Sequence, residues 1–335
     1  MNSNCVEKGT TRSILADNIP LSTPYMIQVF PIYGCNFRCK YCIHSVNNEK
    51  RRFVSNVKIM NFTLYEKCIH DIQKFPQKIK MLRFAATGEP LLHPKLPEMI
   101  SFAKQMNIAD SIDVVTNGSL LTNELSNKLI ESGLDWLRIS IQGVSSEKYK
   151  DICDVDLHFE LLVSNITYFF QHKTGTKVYI KIIDIDLSES EKKRFYDIFK
   201  PISDNIAIEY LVPATEHIDY SHITDKKLLC SQNGNQVMNA KVCPQPFFMM
   251  QINPDGNAVP CCSMETAFVM GNCLENSLLD IWHSNKLKKF QCQLLKNKKH
   301  LNVVCDGCEA YKYNMFEEDL LDDKAEELLT KLGGI

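Results

Sequence analysis

The chain has 335 residues, of which 44% are hydrophobic and 23% charged, enough for one large core and a smaller one. Its 38 Lys and Arg against 40 Asp and Glu give a net charge of −2, which offers no ground for a nucleic-acid or anionic-membrane partner. No apolar run approaches a bilayer span and residues 1–24 lack the basic start and apolar centre of a secretory signal, so a cytoplasmic protein is expected. Its 14 cysteines then read as metal ligands plus buried thiols rather than disulfides.

After an N-terminal extension, 1–24, residues 25–212 alternate short β-rich runs with longer amphipathic segments. Strands are predicted at 25–30, 80–85, 111–116, 136–141, 177–183 and 206–211, and helices at 63–75, 93–106, 122–132, 157–172 and 188–199. Ser188 with Glu191 has the spacing of a capping box. Such βα alternation implies an α/β fold with a parallel sheet, either open and doubly wound or curled toward a barrel. In both cases the chemistry belongs at the carboxyl ends of the strands, and the unusual residues collect there. Cys35, Cys39 and Cys42 follow the first strand and Thr87-Gly88-Glu89-Pro90 the second. Thr116-Asn117-Gly118 closes the third, and Ser140-Ile141-Gln142-Gly143 the fourth.

Three cysteines spaced CxxxCxxC can hold three irons of a [4Fe-4S] cube and leave the fourth iron for a small molecule; a zinc knuckle or a set of buried thiols is the plainer alternative. Gly34 lets the backbone turn, and Phe37 and Tyr41 shield the loop. A linker, 213–240, precedes a second constellation at 241–335. Cys243, Cys261 or Cys262, Cys305 and Cys308 make a four-thiolate set fit for a second cluster or a tetrahedral zinc. Between them a hairpin is predicted at Pro254-Asp255-Gly256. Cys5, Cys68, Cys153, Cys230, Cys273 and Cys292 read as small core residues.

The first cysteine motif, with an aromatic before its last Cys, resembles the signature of the radical S-adenosylmethionine (SAM) enzymes. Thr87-Gly88-Glu89-Pro90 is similar to that family's GGE-type motif, with Thr87 in place of the first glycine. The order Cys243, Gly256, Cys261, Gly271-Asn272, Ser277 to Trp282 and CxxC resembles the SPASM domain. With no cysteine after Cys308, it resembles the shortened, twitch-like variants of the butirosin aminocyclitol dehydrogenase type.

The resemblance implies a partial (β/α)6 TIM-like barrel with a small C-terminal iron-sulfur domain. It implies a SAM-binding [4Fe-4S] cluster on Cys35, Cys39 and Cys42, and one auxiliary [4Fe-4S] cluster on Cys243, Cys261, Cys305 and Cys308. SAM contacts are implied at Tyr41, Gly88, Glu89, Asn117, Ser140 and Gln142, where a turn cap at Asn117 is the plainer alternative. Reductive cleavage of SAM would then give methionine and a 5′-deoxyadenosyl radical that abstracts hydrogen from the substrate, with an electron supplied by a reductase such as flavodoxin or ferredoxin.

A fully ligated auxiliary cluster beside the site is a natural electron acceptor, so oxidation of a sugar-like or cyclitol secondary alcohol is the leading expectation. Modification of a ribosomally made peptide is the alternative, weakened because 1–24 is too short for a peptide-binding domain. A non-catalytic, metal-stabilised binding protein would not explain Glu89, Asn117 and Gln142 at successive strand ends. Lys181, Asp184 and Glu209, with Tyr210 beside them, are the candidate substrate contacts, against the plainer reading of paired surface charges. The basic run from Lys286 to Lys299 could attract a phosphorylated sugar or pair with the acidic tail, 317–327.

Overall fold

Each of the six expected strands is present, and the alternation of apolar and polar residues along them decides the architecture. A computed structural model describes residues 12–224 and 228–333; Cys5 lies outside the described residues. The strands are β1 (Met26–Val29), β2 (Ile79–Phe84), β3 (Ala109–Thr116), β4 (Trp136–Ile141), β5 (Lys177–Asp184) and β6 (Asn205–Tyr210). β7 (Met249–Ile252), β8 (Asn257–Val259) and β9 (Gly271–Asn272) come from the C-terminal region. They form one sheet in the order β6-β5-β4-β3-β2-β1-β7-β8-β9. β1 to β6 are mutually parallel, which with the intervening helices gives the six-stranded partial barrel.

One face of every barrel strand is apolar. Ile27, Leu82, Phe84, Ile112, Val114, Leu137, Ile139, Val178 and Ile180 are buried against the helices Phe62–Ile72, Leu96–Met106, Asn123–Glu131, Phe159–His172 and Glu189–Phe199. The other face carries Gln28, Arg83, Asp113, Arg138, Ser140, Lys181 and Glu209, so the barrel interior is polar. Helix starts follow local chemistry. Asn61 accepts from Thr63 N (2.8 Å) and Thr122 from Leu125 N (3.1 Å), while Ser188 and Glu191 form the expected reciprocal box. A helix at Ser146–Cys153, capped by Ser145, was not expected from the sequence.

The C-terminal region is continuous with the barrel. β7 pairs in parallel with β1, matching Gln28 with Gln251, and then turns back as the expected hairpin through Gly256 (φ +83°) into β8. Met250, Ile252, Ala258, Met270, Leu278, Ile281 and Trp282 share one core with the barrel helices. Asp71 fixes the two parts together, accepting from Leu278 N (3.2 Å), Lys67 (2.9 Å) and Lys74 (2.6 Å). The short helix Leu15–Asn18, in the stretch expected as an extension, packs with Phe247, Phe290, Leu321 and Leu328. The acidic tail packs on the basic helix Asn285–Leu295 through apolar side chains, Leu321 and Leu328 clustering with Phe290 and Leu294, while the ion pairs seen for it join Glu318 and Asp319 to Arg12 and Glu327 to Lys324 and Lys331.

Candidate active site

The loop carrying Cys35, Cys39 and Cys42 is shaped by the strand ends around it. Arg38 N and Lys40 N donate to the carbonyls of Cys153 and Ile152 (both 2.9 Å), at the end of the unexpected helix. From the opposite side Glu89 N donates to Gly34 O (2.9 Å), and Asn117 Nδ2 to Asn36 Oδ1 (2.9 Å). Gly88 sits so close to the loop that an added Cβ would lie 2.2 Å from Ile32 O and 3.0 Å from Gly34 O. No side chain other than hydrogen fits there.

Glu89 is buried and its carboxylate is the hub of the strand ends. Oε1 accepts from Leu91 N (2.9 Å) and Thr116 Oγ1 (2.6 Å), and Oε2 accepts from Asn117 N (2.7 Å). Burial pushes its pKa up to about 7 despite those donors. Of the four lone-pair positions on a carboxylate, one on Oε2 is left for a further donor. The Thr87 carbonyl faces His44 Nε2 at 3.1 Å. Asn117 takes the turn role: its Oδ1 accepts from Ser119 N (2.9 Å) and Oγ (2.7 Å). Gln142 accepts from the Tyr41 hydroxyl and donates to Ser140 O (3.1 Å), bringing three of the expected residues together beside the cysteine loop.

Lys181 Nζ meets Glu209 Oε2 at 2.7 Å inside the barrel, and Tyr179 and Gln232 also donate to that carboxylate. Burial would raise Glu209, but Lys181 and the two donors outweigh it and hold the group below the usual carboxylate range. Asp184 is not brought to this site. It sits three residues after Lys181 and so on the opposite face, where its Oδ1 accepts from Leu187 N (3.0 Å). Two residues absent from the expected set stand out in the interior. Arg83 and Arg138, on β2 and β4, both bind Asp113 on β3, through Arg83 Nη2 at 2.8 Å and Arg138 Nε at 2.6 Å. Their signal was a charge recurring at an inward position of an otherwise apolar strand.

Both cysteine sets suit iron-sulfur clusters. All described cysteines are free thiols, and no three of the described His, Cys, Asp or Glu side chains converge on a single ion. Phe37 N donates to Cys35 Sγ (3.4 Å). Burial pushes Cys35 up to about 12 and Cys42 up to about 11, and contact with Cys153 (Sγ to Sγ 3.4 Å), then burial, raises Cys39 further. Thiols so placed stay protonated until a metal displaces the protons. Cys243, Cys261, Cys262, Cys305 and Cys308 line a cavity of about 160 Å³. Burial pushes Cys261 and Cys305 up to about 12. Cys68, Cys153 and Cys273 are buried as expected, while Cys230 and Cys292 are half-buried.

A partial α/β barrel with a three-cysteine loop at its carboxyl end and a cysteine-lined cavity beside it defines an iron-sulfur enzyme. Residues 29–189 match the radical SAM superfamily and residues 243–309 the SPASM iron-sulfur cluster-binding domain. The chain is a radical SAM enzyme with a SPASM domain, and its cofactors are a [4Fe-4S] cluster with SAM and an auxiliary iron-sulfur cluster. Among curated relatives it is similar to the tungsten-containing aldehyde ferredoxin oxidoreductase cofactor-modifying protein of Pyrococcus furiosus, 23% identical over 82% of this chain and 84% of that one. It is 30% identical to the GTP 3′,8-cyclase of Chlorobaculum tepidum over 42% of this chain, spanning 39% of that relative. Its fold is like that of BtrN in complex with AdoMet and 2-DOIA (TM-score 0.53, 19% identity, 85% of this chain and 92% of that one). It is also like that of Streptococcus suis SuiB bound to precursor peptide SuiA (TM-score 0.65, 14% identity, 93% and 77%). No helix among the described residues is long and apolar enough to cross a membrane.

Proposed function

We propose that this enzyme oxidises a secondary alcohol of a small sugar-like or cyclitol substrate held in the barrel, with the auxiliary cluster accepting an electron. The observation that carries the reading is the nearness of the two sites. Cys261 and Cys262, which line the auxiliary cavity, follow β8; β8 pairs with β7, and β7 lies beside β1, whose end leads into the loop of Cys35, Cys39 and Cys42. Bound SAM and its cluster supply a carbon-centred adenosyl radical able to take hydrogen from an unactivated carbon.

The chain's own residues do the positioning. The open position on Glu89 Oε2 would accept the ammonium of SAM, and Tyr41 with Gln142 would close the side of that site. Glu209, kept ionised by Lys181, accepts the substrate hydroxyl proton's hydrogen bond, and Lys181 Nζ donates to its oxygen. The likeness to a structure described with 2-DOIA is in keeping with a small substrate.

The competing reading, modification of a peptide, draws on Phe53, Val57 and Ile59, which are exposed between the cysteine loop and the helix Phe62–Ile72. The test is anaerobic incubation of the reconstituted enzyme with SAM, a reductant and a panel of sugars and aminocyclitols deuterated at the carbinol carbons. Deuterium in 5′-deoxyadenosine together with a ketone product supports the proposal. Label transfer seen with peptides alone would overturn it.

A further inference from the structure

We infer that the substrate carries an anionic group, a carboxylate or a phosphate ester, and that the guanidinium pair of Arg83 and Arg138 holds it inside the barrel. The inference rests on the reading above for placing the substrate in the interior, and it specifies which part of the substrate the barrel grips.

The charge arrangement is unusual for a sealed core. Asp113 has no exposed surface and is flanked by two guanidiniums, so one carboxylate serves two cations. Arg83 uses Nε and Nη2 on it, and Arg138 uses Nε. That leaves Arg83 Nη1 and both terminal nitrogens of Arg138 with no acceptor among the described hydrogen bonds. The side chains are 26% and 23% exposed, so the pair is not sealed by packing.

Arg138 is also fixed in orientation. Its guanidinium carbon lies 4.9 Å from the Trp136 ring centroid and 5.7 Å from that of Tyr179. A planar fork held this way is preorganised for a two-oxygen anion. The other charged pair, Lys181 with Glu209, closes on itself at 2.7 Å. Arg83 and Arg138 thus bring two positive charges to the single negative charge of Asp113, an excess that an anionic ligand group would neutralise.

The pair is also placed away from SAM. Arg138 precedes Gln142, at the strand end, by four residues, roughly 13 Å of extended chain. Arg83 precedes Thr87 by the same number. An anion on the guanidiniums therefore lies below the strand ends where Glu89 and Gln142 gather.

The experiment titrates inorganic phosphate and, in a separate arm, acetate into the anaerobically reconstituted full chain without reductant, by calorimetry, with and without SAM. Saturable binding of one anion that SAM does not displace is expected, and the tighter of the two assigns ester or carboxylate. In Arg138→Gln the affinity should fall at least about tenfold while SAM binds within about twofold of the parent; Arg138→Lys should lose less. Absence of saturable anion binding overturns the inference, as does unchanged affinity in Arg138→Gln. Competition between anion and SAM in the unmodified protein also overturns it, because it puts the SAM carboxylate on the pair, and this arm needs no variant to fold. Anion binding without alcohol oxidation would remove the dehydrogenase reading alone; oxidation without anion binding would remove this one alone.

Discussion

Replacing Glu89 by Gln should stabilise the metal-free chain at alkaline pH while weakening SAM binding. The carboxyl is buried, and its folded pKa of about 7 lies above the ordinary value near 4.5. The unfolded chain therefore gives up this proton first, and between those two values folded stability falls as pH rises. Over the interval from about 4.5 to about 7 the burden at high pH is roughly 3 kcal/mol, and roughly 2.5 kcal/mol of it develops between pH 5 and pH 8. Gln has the shape of the protonated acid and no charge to bury. Its amide nitrogen must, however, oppose one of the three donors now served, at a cost of about 1–3 kcal/mol that does not vary with pH. The assay is urea unfolding of both proteins, metal-free and reduced, at pH 5 and pH 8. The stability of the variant relative to the parent should rise by about 2–3 kcal/mol between the two. Equal pH dependence in both chains would refute the idea that Glu89 is held charged against its burial. SAM affinity of the reconstituted variant should drop at least about tenfold, since a charged acceptor for the ammonium is gone.

Gly88→Ala places a methyl group 2.2 Å from Ile32 O, so the cysteine loop must move; about 1–3 kcal/mol of stability should be lost and less iron taken up on reconstitution, measured by denaturation and iron content. Asp71→Asn should cost about 1–3 kcal/mol by leaving Lys67 and Lys74 without their acid and weakening the tie to Leu278 N. Burial opposes ionisation of Asp71, but Lys74 and Lys67 hold it below the usual range. Its contribution is thus present above about pH 4 and lost as pH falls through the folded value, and denaturation curves of Asp71→Asn should lack that acid-side loss. Cys305→Ser should lower iron from about eight to about four atoms per chain and leave cleavage of SAM intact, whereas Cys35→Ser should abolish that cleavage.

The six barrel strands were readable because each is a short β-branched run between amphipathic segments, and Ser188 with Glu191 announced its helix in the same local way. The cysteine spacings, Glu89 and the hairpin at Gly256 were readable too, since each depends on neighbours in sequence. The helix Ser146–Cys153 was missed because its polar stretch mimics a loop, although Ser145 stood ready to cap it. The pairing of β7 with β1 was not readable, because a parallel partner over 200 residues away leaves no periodic trace. Asp184 is different. Lys181 and Asp184 are three apart on one strand, and the two-residue period alone puts them on opposite faces.

The cysteine loop owes its form to other segments more than to its own sequence. Its backbone is bonded to Cys153 and Ile152 on one side and to Glu89 on the other, and Asn36 is held by Asn117. A glycine that admits no Cβ seals the contact. With these constraints the loop is shaped before any iron arrives, so cluster binding need not cover the ordering entropy of the loop. The same logic extends to the interior. Arg83, Asp113 and Arg138 come from three adjacent strands, and their register brings the two guanidiniums onto one carboxylate. Cluster loop and charged interior are thus products of one sheet, and a substrate reaching from the strand ends to the arginines would span both.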